Sequence, residues 1–288
     1  MNQEPARFIL YFNHIPKTGG TSLRSWLNSL FLDSEIYPHL HHQPDHPVPL
    51  VKSGLQLITG HHACNVHEDG LGGFHEVTWI REPRAWVRSY YKFVRTFDYG
   101  SLPPGVPIDK SVYQIKKMSY PEFLEEFGRP GGNLSGFQSR YLYTCSPIQP
   151  ETEPYETVRR KSENRLKEFA IVGSLGHMQE SVDLFCHRFK LPPKRFLLWE
   201  NRSQSVLEID STREELFLSR NADVDLYKTV SENLQENKPG LMRCMTGCAM
   251  SSAFSETPIF TGDVCRKIRP FSVRAGDRSF CGGHSGRA

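Results

Sequence analysis

The chain has 288 residues, of which 38% are apolar and 23% are charged, and these proportions are typical of a globular protein with a full core. The formal net charge of +3 is too small to indicate a nucleic-acid-binding protein, although a local basic patch can still bind a small anion. No apolar run is long enough for a bilayer span, so the sequence predicts no transmembrane segment.

The first predicted unit is a strand, a loop and a helix within residues 8–31. The apolar run Phe8 to Phe12 is typical of a buried strand, and apolar residues from Leu23 to Phe31 recur at helical spacing. The loop between them combines one lysine, two glycines and three hydroxyl side chains: Lys17, Thr18, Gly19, Gly20, Thr21 and Ser22.

This loop has the composition of an anion-binding site rather than of a plain turn. Glycines let the backbone approach a ligand closely, and the first turn of a helix offers N–H groups together with the positive end of the helix dipole. Lys17 adds a full charge. An ordinary ATP or GTP P-loop is disfavoured, because the Walker A pattern places its lysine after the glycines, whereas Lys17 precedes them.

Two regions hold potential metal ligands, but the sequence predicts no metal site. Residues 37–49 contain four histidines interspersed with prolines, which favours an irregular surface loop. Of the seven cysteines, only Cys244 and Cys248 are close in sequence, and a structural zinc site needs two such pairs. We therefore expect free thiols.

The second predicted strand, Leu55 to Ile58, leads into a polar segment with three histidines. Open α/β sheets place functional residues after the carboxyl ends of their strands, and a histidine there can accept a proton near neutral pH. His61 is the first candidate for a general base and His67 is its rival. Further candidates in the same segment are His62 and Glu68.

The third predicted strand, His75 to Ile80, ends in Arg81-Glu82-Pro83, and a helix follows. Proline suits the first turn of a helix. Arg81 at the end of the strand and Ser89 two turns into the helix could together bind a second phosphate, the arginine through charge-assisted hydrogen bonds and the serine through its hydroxyl.

The rest of the chain continues the alternation of strands and helices, which indicates an α/β fold with a central parallel sheet and helices on both faces. Residues 1–235 are predicted to form one catalytic domain, and residues 236–288, rich in Gly, Ser and Arg, a disordered tail. The later predicted elements are a capping-box helix from Ser119 to Phe127, helices at 158–169, 178–189 and 223–234, and strands at 169–172 and 195–199.

The loop sequence Pro-Lys-Thr-Gly-Gly-Thr-Ser at residues 16–22 resembles the 5′-phosphosulfate loop of sulfotransferases that use 3′-phosphoadenosine-5′-phosphosulfate (PAPS). It is most similar to the carbohydrate-type branch, which includes the heparan sulfate 2-O- and 6-O-sulfotransferases. Arg81-Glu82-Pro83 followed by Ser89 resembles the 3′-phosphate motif of that family. One departure is Trp86, which stands where relatives usually carry an arginine; Arg84 and Arg88 flank it.

Further segments resemble the same family in the same order, so that the resemblance covers about residues 8–235. Gly60-His61 is similar to its catalytic element, and Cys64 to His67 is similar to a related run in the 6-O-sulfotransferases. Residues 133–143, with Gln138 and Arg140, resemble another polar segment. Weaker matches occur at 171–181, 200–203 and 223–234.

The resemblance implies a three-layer P-loop-like fold and in-line transfer of a sulfuryl group from PAPS to an acceptor hydroxyl, without a metal. It implies that residues 17–22 bind the 5′-phosphosulfate, with Lys17 neutralising the leaving phosphate oxygen. Arg81 and Ser89 would bind the 3′-phosphate, and His61 or His67 would take the acceptor's proton. Arg140 would contact the cosubstrate or the acceptor, or serve a structural role.

The acceptor implied by the resemblance is a glycan or a small hydroxyl-bearing molecule. If Met1 is the true start, we expect a cytoplasmic protein, and if N-terminal residues are missing, a protein of the Golgi lumen. The oligomeric state is open. Two alternatives also stay open: a P-loop-like kinase acting with ATP, and an inactive member that only binds nucleotide or glycan.

Overall fold

The computed structural model describes residues 9–37, 56–61, 74–98, 100, 110–129, 132–144, 153–191, 211–219 and 221–250, with side chains for all of these except 110 and 237–250. Within these ranges the protein is α/β. The strands are β1 (Ile9–Asn13), β2 (Leu57–Gly60), β3 (Phe74–Ile80) and β4 (Ile171–Ser174). The helices are α1 (Gly20–Asn28), α2 (Pro83–Thr96), α3 (Lys110–Ile115), α4 (Tyr120–Phe127), α5 (Phe137–Thr144), α6 (Tyr155–Leu166), α7 (Met178–Arg188), α8 (Ser211–Leu218) and α9 (Ala222–Met250), with short 3-10 turns at Asp33–Glu35 and Leu175–His177.

The four strands form one parallel sheet in the order β2-β1-β3-β4. β1 therefore lies between β2 and β3, and the chain leaves it to one side to form β2 and returns across it to form β3. This reversal creates a topological switch point between β1 and β3, where open α/β sheets bind ligands beyond the carboxyl ends of their strands. The segments that follow β1, β2 and β3 meet at that edge.

One face of the sheet is apolar and packs against α1 and α7. Leu10 and Phe12 of β1 point to this face together with Val77 and Trp79 of β3, as the two-residue period of a strand requires. All four side chains are fully buried. The helices contribute Leu23 and Leu27 from α1 and Val182 and Phe185 from α7.

Buried polar side chains occupy the alternate positions of the same strands. The Asn13 amide donates to a Glu76 carboxylate oxygen at 3.1 Å, and the Thr78 hydroxyl donates to the Asn13 carbonyl at 2.8 Å. Arg165 of α6 forms an ion pair with Glu76, and its Nε also donates to the Leu142 carbonyl at 3.2 Å. The ion pair thus connects α6 to the centre of the sheet.

The predicted strands and helices that fall in the described ranges agree with these bounds to within a few residues, except for α9, whereas α3, α5 and α8 were not predicted as helices. The capping box is present: the Ser119 hydroxyl accepts from the N–H of Glu122, and the Glu122 carboxylate accepts from the N–H of Ser119. None of the described helices is both long and apolar enough to cross a bilayer. The predicted strand at 195–199 lies outside the described residues.

The last helix is longer than predicted. α9 continues to Met250, although Pro239 and Gly240 both disfavour a helix interior and the sequence predicts a disordered tail from residue 236. The division into a catalytic domain and a tail stays a prediction, and residues 251–288 lie outside the described part of the chain.

We predict that Arg165→Met lowers the free energy of unfolding by about 3–5 kcal/mol, because it leaves the buried Glu76 carboxylate without its ion-pair partner. The matched control is Arg159→Met on the same helix, whose ion pairs with Glu156 and Glu163 are largely exposed, so we expect a change below about 1 kcal/mol. Urea denaturation measures both. Equal, small losses for the two variants would contradict the structural role of the buried pair.

Candidate anion-binding site

The loop after β1 has an unusual backbone that suits an anion. Lys17 (φ 68°) and Gly19 (φ 86°) both adopt the left-handed conformation, and alternation of this kind turns successive N–H groups toward one concave side. The buried Thr18 hydroxyl donates to the Ile15 carbonyl at 2.8 Å and closes the loop internally. Gly19 is the N-cap of α1 and has no side chain to cap the first-turn N–H groups, so the helix start is open to an external acceptor.

Gly20 is required because an imidazole ring occupies the space that a side chain would need. A Cβ atom at this position would lie 1.7 Å from Nε2 of His14. The His14 ring stacks on His61 at a centroid distance of 4.3 Å and on Phe12 at 5.5 Å, so it has little freedom to move away. The second glycine of the loop therefore lets α1 begin directly against the His14 ring.

A hydrogen bond to the backbone defines the protonation of the His61 ring. Its Nδ1 lies 2.7 Å from the His14 carbonyl oxygen, and because a carbonyl can only accept, Nδ1 carries the proton. In the neutral ring the lone pair is then on Nε2, which is the atom that can accept a proton. The Tyr141 hydroxyl donates to the His61 carbonyl and fixes the backbone at the end of β2.

Arg81, at the end of β3, contacts the loop after β1. Its Nη1 donates to the Lys17 carbonyl at 3.3 Å. The backbone of Arg81 is held by Gln138 of α5, which accepts from its N–H at 2.8 Å and donates to its carbonyl at 2.9 Å. Asp223 of α9 accepts in turn from the N–H groups of Gln138 and Ser139, at 3.1 and 2.7 Å. The start of α9 thus fixes α5, and α5 fixes Arg81.

Trp86, the residue flanked by Arg84 and Arg88, contacts the loop after β1. Its indole N–H donates to the Pro16 carbonyl at 2.8 Å, and its ring stacks on Phe137 at 4.7 Å. This side chain therefore holds the loop in place and offers no charge to a ligand. The flanking arginines are engaged elsewhere: Arg88 donates twice to Glu214 at 2.6 Å, and Arg84 forms ion pairs with Glu214 and Glu215.

Lys17 and Arg81 are partly buried cations without a described counter-ion. Burial lowers the pKa of both groups, and the charge of Arg81 lowers the pKa of Lys17 further. Glu82 favours the charged form of Arg81, but its carboxylate caps α2 by accepting from two backbone N–H groups at 3.0 and 2.6 Å. Within the described ranges neither Lys17 nor Arg81 forms an ion pair, in contrast to Arg88 and Arg165.

The structure brings most of the predicted site residues to one end of the sheet. Residues 17–22 follow β1, His61 follows β2 and Arg81 follows β3. Ser89 lies two turns into α2 and is partly buried, and its role as a phosphate ligand stays a prediction. His62, His67 and Glu68 lie outside the described residues, so the choice between His61 and His67 remains open.

Arg140 is used within the protein. Its guanidinium donates to the carbonyls of Gly132 and Asn133, at 3.2 and 2.6 Å, and closes the segment that precedes α5. The side chain is 6% exposed. This geometry favours the structural alternative, and the assignment of Arg140 to the cosubstrate stays a prediction. In the part of the chain that the structure describes, no three His, Cys, Asp or Glu side chains cluster as metal ligands.

Sequence reasoning missed the residues that position the site. His14 could not be assigned, because nothing in its neighbourhood shows that its ring lies on Gly20. The hydrogen bonds of Asp223 to α5 join residues 84 or more positions apart, which leaves no local signal.

Comparison with models of known protein families finds no match, and comparison with curated protein sequences finds none either. The function is therefore inferred from the residues themselves.

We predict that Gly20→Ala lowers the free energy of unfolding by about 1–3 kcal/mol, because the added methyl group overlaps the stacked His14 ring. The control is the exposed Gly100→Ala, where the nearest atom of the described residues to the added Cβ is Asp98 Oδ1 at 3.2 Å, so we expect a change within about 0.5 kcal/mol. Urea denaturation of both variants tests the contact. A Gly20→Ala protein as stable as Gly100→Ala would show that the ring does not restrict the start of α1.

Proposed function

We propose that this protein is a PAPS-dependent sulfotransferase that transfers a sulfuryl group to a hydroxyl group of a glycan or a small acceptor. The observation that carries the proposal is the contact between Lys17 and Arg81 at the switch point of the sheet. Two adjacent, partly buried cations without a described counter-ion are unfavourable on their own and are stabilised by a bound anion. A nucleotide with phosphate groups at two ends meets that requirement.

We propose that the two ends of the nucleotide bind to the segments after β1 and β3. The N–H groups of residues 18–22 and the dipole of α1 would hold the 5′-phosphosulfate. Arg81 and Ser89 would hold the 3′-phosphate, the group that distinguishes PAPS from ATP. The short distance between Arg81 and the loop supports a single ligand that spans both segments.

The reaction follows from these positions. The acceptor oxygen attacks sulfur, the bond from sulfur to the 5′-phosphate oxygen breaks, and adenosine 3′,5′-bisphosphate leaves. Lys17 would neutralise the charge that grows on the leaving oxygen. His61 would accept the acceptor's proton on Nε2, the nitrogen that its hydrogen bond to the His14 carbonyl leaves unprotonated. With these groups in place the proposed chemistry does not require a metal.

We further propose that the four described strands belong to a three-layer P-loop-like fold. The switch point between β1 and β3 and the open start of α1 support this arrangement, because both occur where such sheets bind phosphate.

We predict that adenosine 3′,5′-bisphosphate raises the melting temperature and that ATP with Mg²⁺ does not, because only the former has a 3′-phosphate for Arg81. The protein should then transfer labelled sulfate from PAPS to at least one member of a panel of glycans and small alcohols.

Lys17→Ala should lower turnover by a factor of about 10²–10³, the typical effect of removing one donor to a transition state. The exposed Lys167→Ala, just after the end of α6, is the control and should leave turnover unchanged.

Stabilisation by ATP with Mg²⁺ alone would favour the kinase alternative. Binding of the bisphosphate without transfer to any acceptor would favour an inactive nucleotide-binding protein. Equal turnover of Lys17→Ala and Lys167→Ala would contradict the role given to Lys17.

We predict that His61→Ala abolishes sulfuryl transfer and retains binding of adenosine 3′,5′-bisphosphate, because a general base acts on the acceptor and not on the nucleotide. Transfer assays and calorimetry measure the two properties separately. His67→Ala should retain transfer. The opposite pattern, with transfer lost only in His67→Ala, would move the role of base to His67.

A further inference from the structure

Helix α2 lies along the loop between β1 and α1, residues 14–19, here called the anion-binding loop. It contacts this loop at two points along its length. Trp86 and Phe93 are seven residues apart, so they lie two turns apart on the same helical face. Trp86 reaches the Pro16 carbonyl, and Phe93 reaches the next residue, Lys17. Ser89 is three residues after Trp86 and four before Phe93, a spacing that puts it on the same face of the helix. The face of α2 that carries the predicted phosphate ligand therefore also carries an aromatic ring against Lys17.

The ring of Phe93 faces the lysine ammonium directly. Nζ of Lys17 lies 4.3 Å from the centroid of the Phe93 ring, well within the range of a cation–π interaction. The backbone of Lys17 is also held, because Arg81 donates to the Lys17 carbonyl and Lys17 itself is in the left-handed conformation. Both ends of Lys17 are thus fixed before any ligand binds.

The remaining surroundings of Lys17 disfavour its charge. Burial lowers its pKa, and among the described residues the charged group that acts on it is Arg81, which lowers the pKa further. No described carboxylate from the loop, from β3 or from α2 pairs with it. The face of an aromatic ring interacts favourably with an ammonium but not with a neutral amine, so Phe93 is the described group that opposes these two effects.

We infer that Phe93 is a positioning residue that holds the Lys17 ammonium in its charged form beside the anion-binding loop. The catalytic consequence rests on the proposed function: an ammonium already in place and charged can stabilise the leaving phosphate oxygen without reorganisation. The position and protonation of Lys17 in the unliganded protein do not depend on that function.

The direct test is an NMR titration of lysine side chains in the unliganded protein, with the Lys17 signal assigned by its absence in Lys17→Arg. In Phe93→Leu the pKa of Lys17 should be lower by about 0.5 to 1.5, because the cation–π interaction is lost and the burial is retained. Phe93→Tyr should restore the wild-type pKa. The matched control is Phe97→Leu, which removes the ring that packs on Phe93 at 5.0 Å but leaves Phe93 against Lys17.

The second measurement is the affinity for adenosine 3′,5′-bisphosphate between pH 8 and pH 10, where the phosphates are fully ionised and their own titration does not contribute. A lysine is charged below its pKa, so a lower pKa makes affinity fall at a lower pH. We expect that decline to move to lower pH in Phe93→Leu but not in Phe93→Tyr or Phe97→Leu.

A Lys17 pKa that is unchanged or higher in Phe93→Leu would overturn the assignment, as would an equal decrease in Phe97→Leu. If the wild-type protein does not bind the bisphosphate, the proposed function fails, and the NMR titration still decides the role of Phe93.

Discussion

The structure of the site depends on two cations that are held together without a described counter-ion. Lys17 and Arg81 belong to loops after different strands, yet the guanidinium of one contacts the carbonyl of the other. Their proximity follows from the strand order, because β1 and β3 are neighbours and their carboxyl ends meet at the same edge. Holding two like charges together is unfavourable, so the surrounding residues must impose the arrangement.

Some of the surrounding residues contact the loop or Arg81 directly, and others hold those residues in place. Trp86 and Phe93 of α2 contact the loop directly, one through the Pro16 carbonyl and the other through the Lys17 ammonium. Gln138 holds the backbone of Arg81, and Asp223 holds the start of the helix that carries Gln138. Burial raises the pKa of Asp223, whereas its hydrogen bonds from the backbone of α5 favour the carboxylate. The site thus depends on contacts that reach from residue 16 to residue 223.

Two other arginines, the buried Arg165 and the partly exposed Arg88, show how a carboxylate partner serves a structural role. Arg165 is paired with Glu76, and Arg88 with Glu214, which also accepts from the Tyr120 hydroxyl at 2.7 Å. These carboxylates satisfy their arginines and connect helices to the sheet or to each other. Lys17 and Arg81 form no such pair among the described residues, and unlike the buried Arg140 they meet at the switch point of the sheet, which is the reason for proposing an external anion for them.

The sequence predicted the elements with local signals and missed those that depend on distant contacts. The strand, glycine loop and helix at 8–31 and the capping box at Ser119 are visible within a few residues, and the structure contains them. The role of Trp86 was not predictable, because its partner Pro16 lies 70 residues earlier. The reason for Gly20 was equally hidden, since it is the ring of His14, which in turn stacks on His61.

The most direct test of whether Lys17 and Arg81 bind the same nucleotide is a thermodynamic cycle. The cycle removes the 3′-phosphate from the ligand and the guanidinium from the protein. Calorimetry would compare adenosine 3′,5′-bisphosphate with adenosine 5′-monophosphate, on the wild type and on Arg81→Met. We expect the wild type to prefer the bisphosphate by about 10- to 100-fold, the value of a hydrogen bond to a charged group, and Arg81→Met to lose most of this preference. An unchanged preference in Arg81→Met would contradict the claim that Lys17 and Arg81 bind opposite ends of one nucleotide.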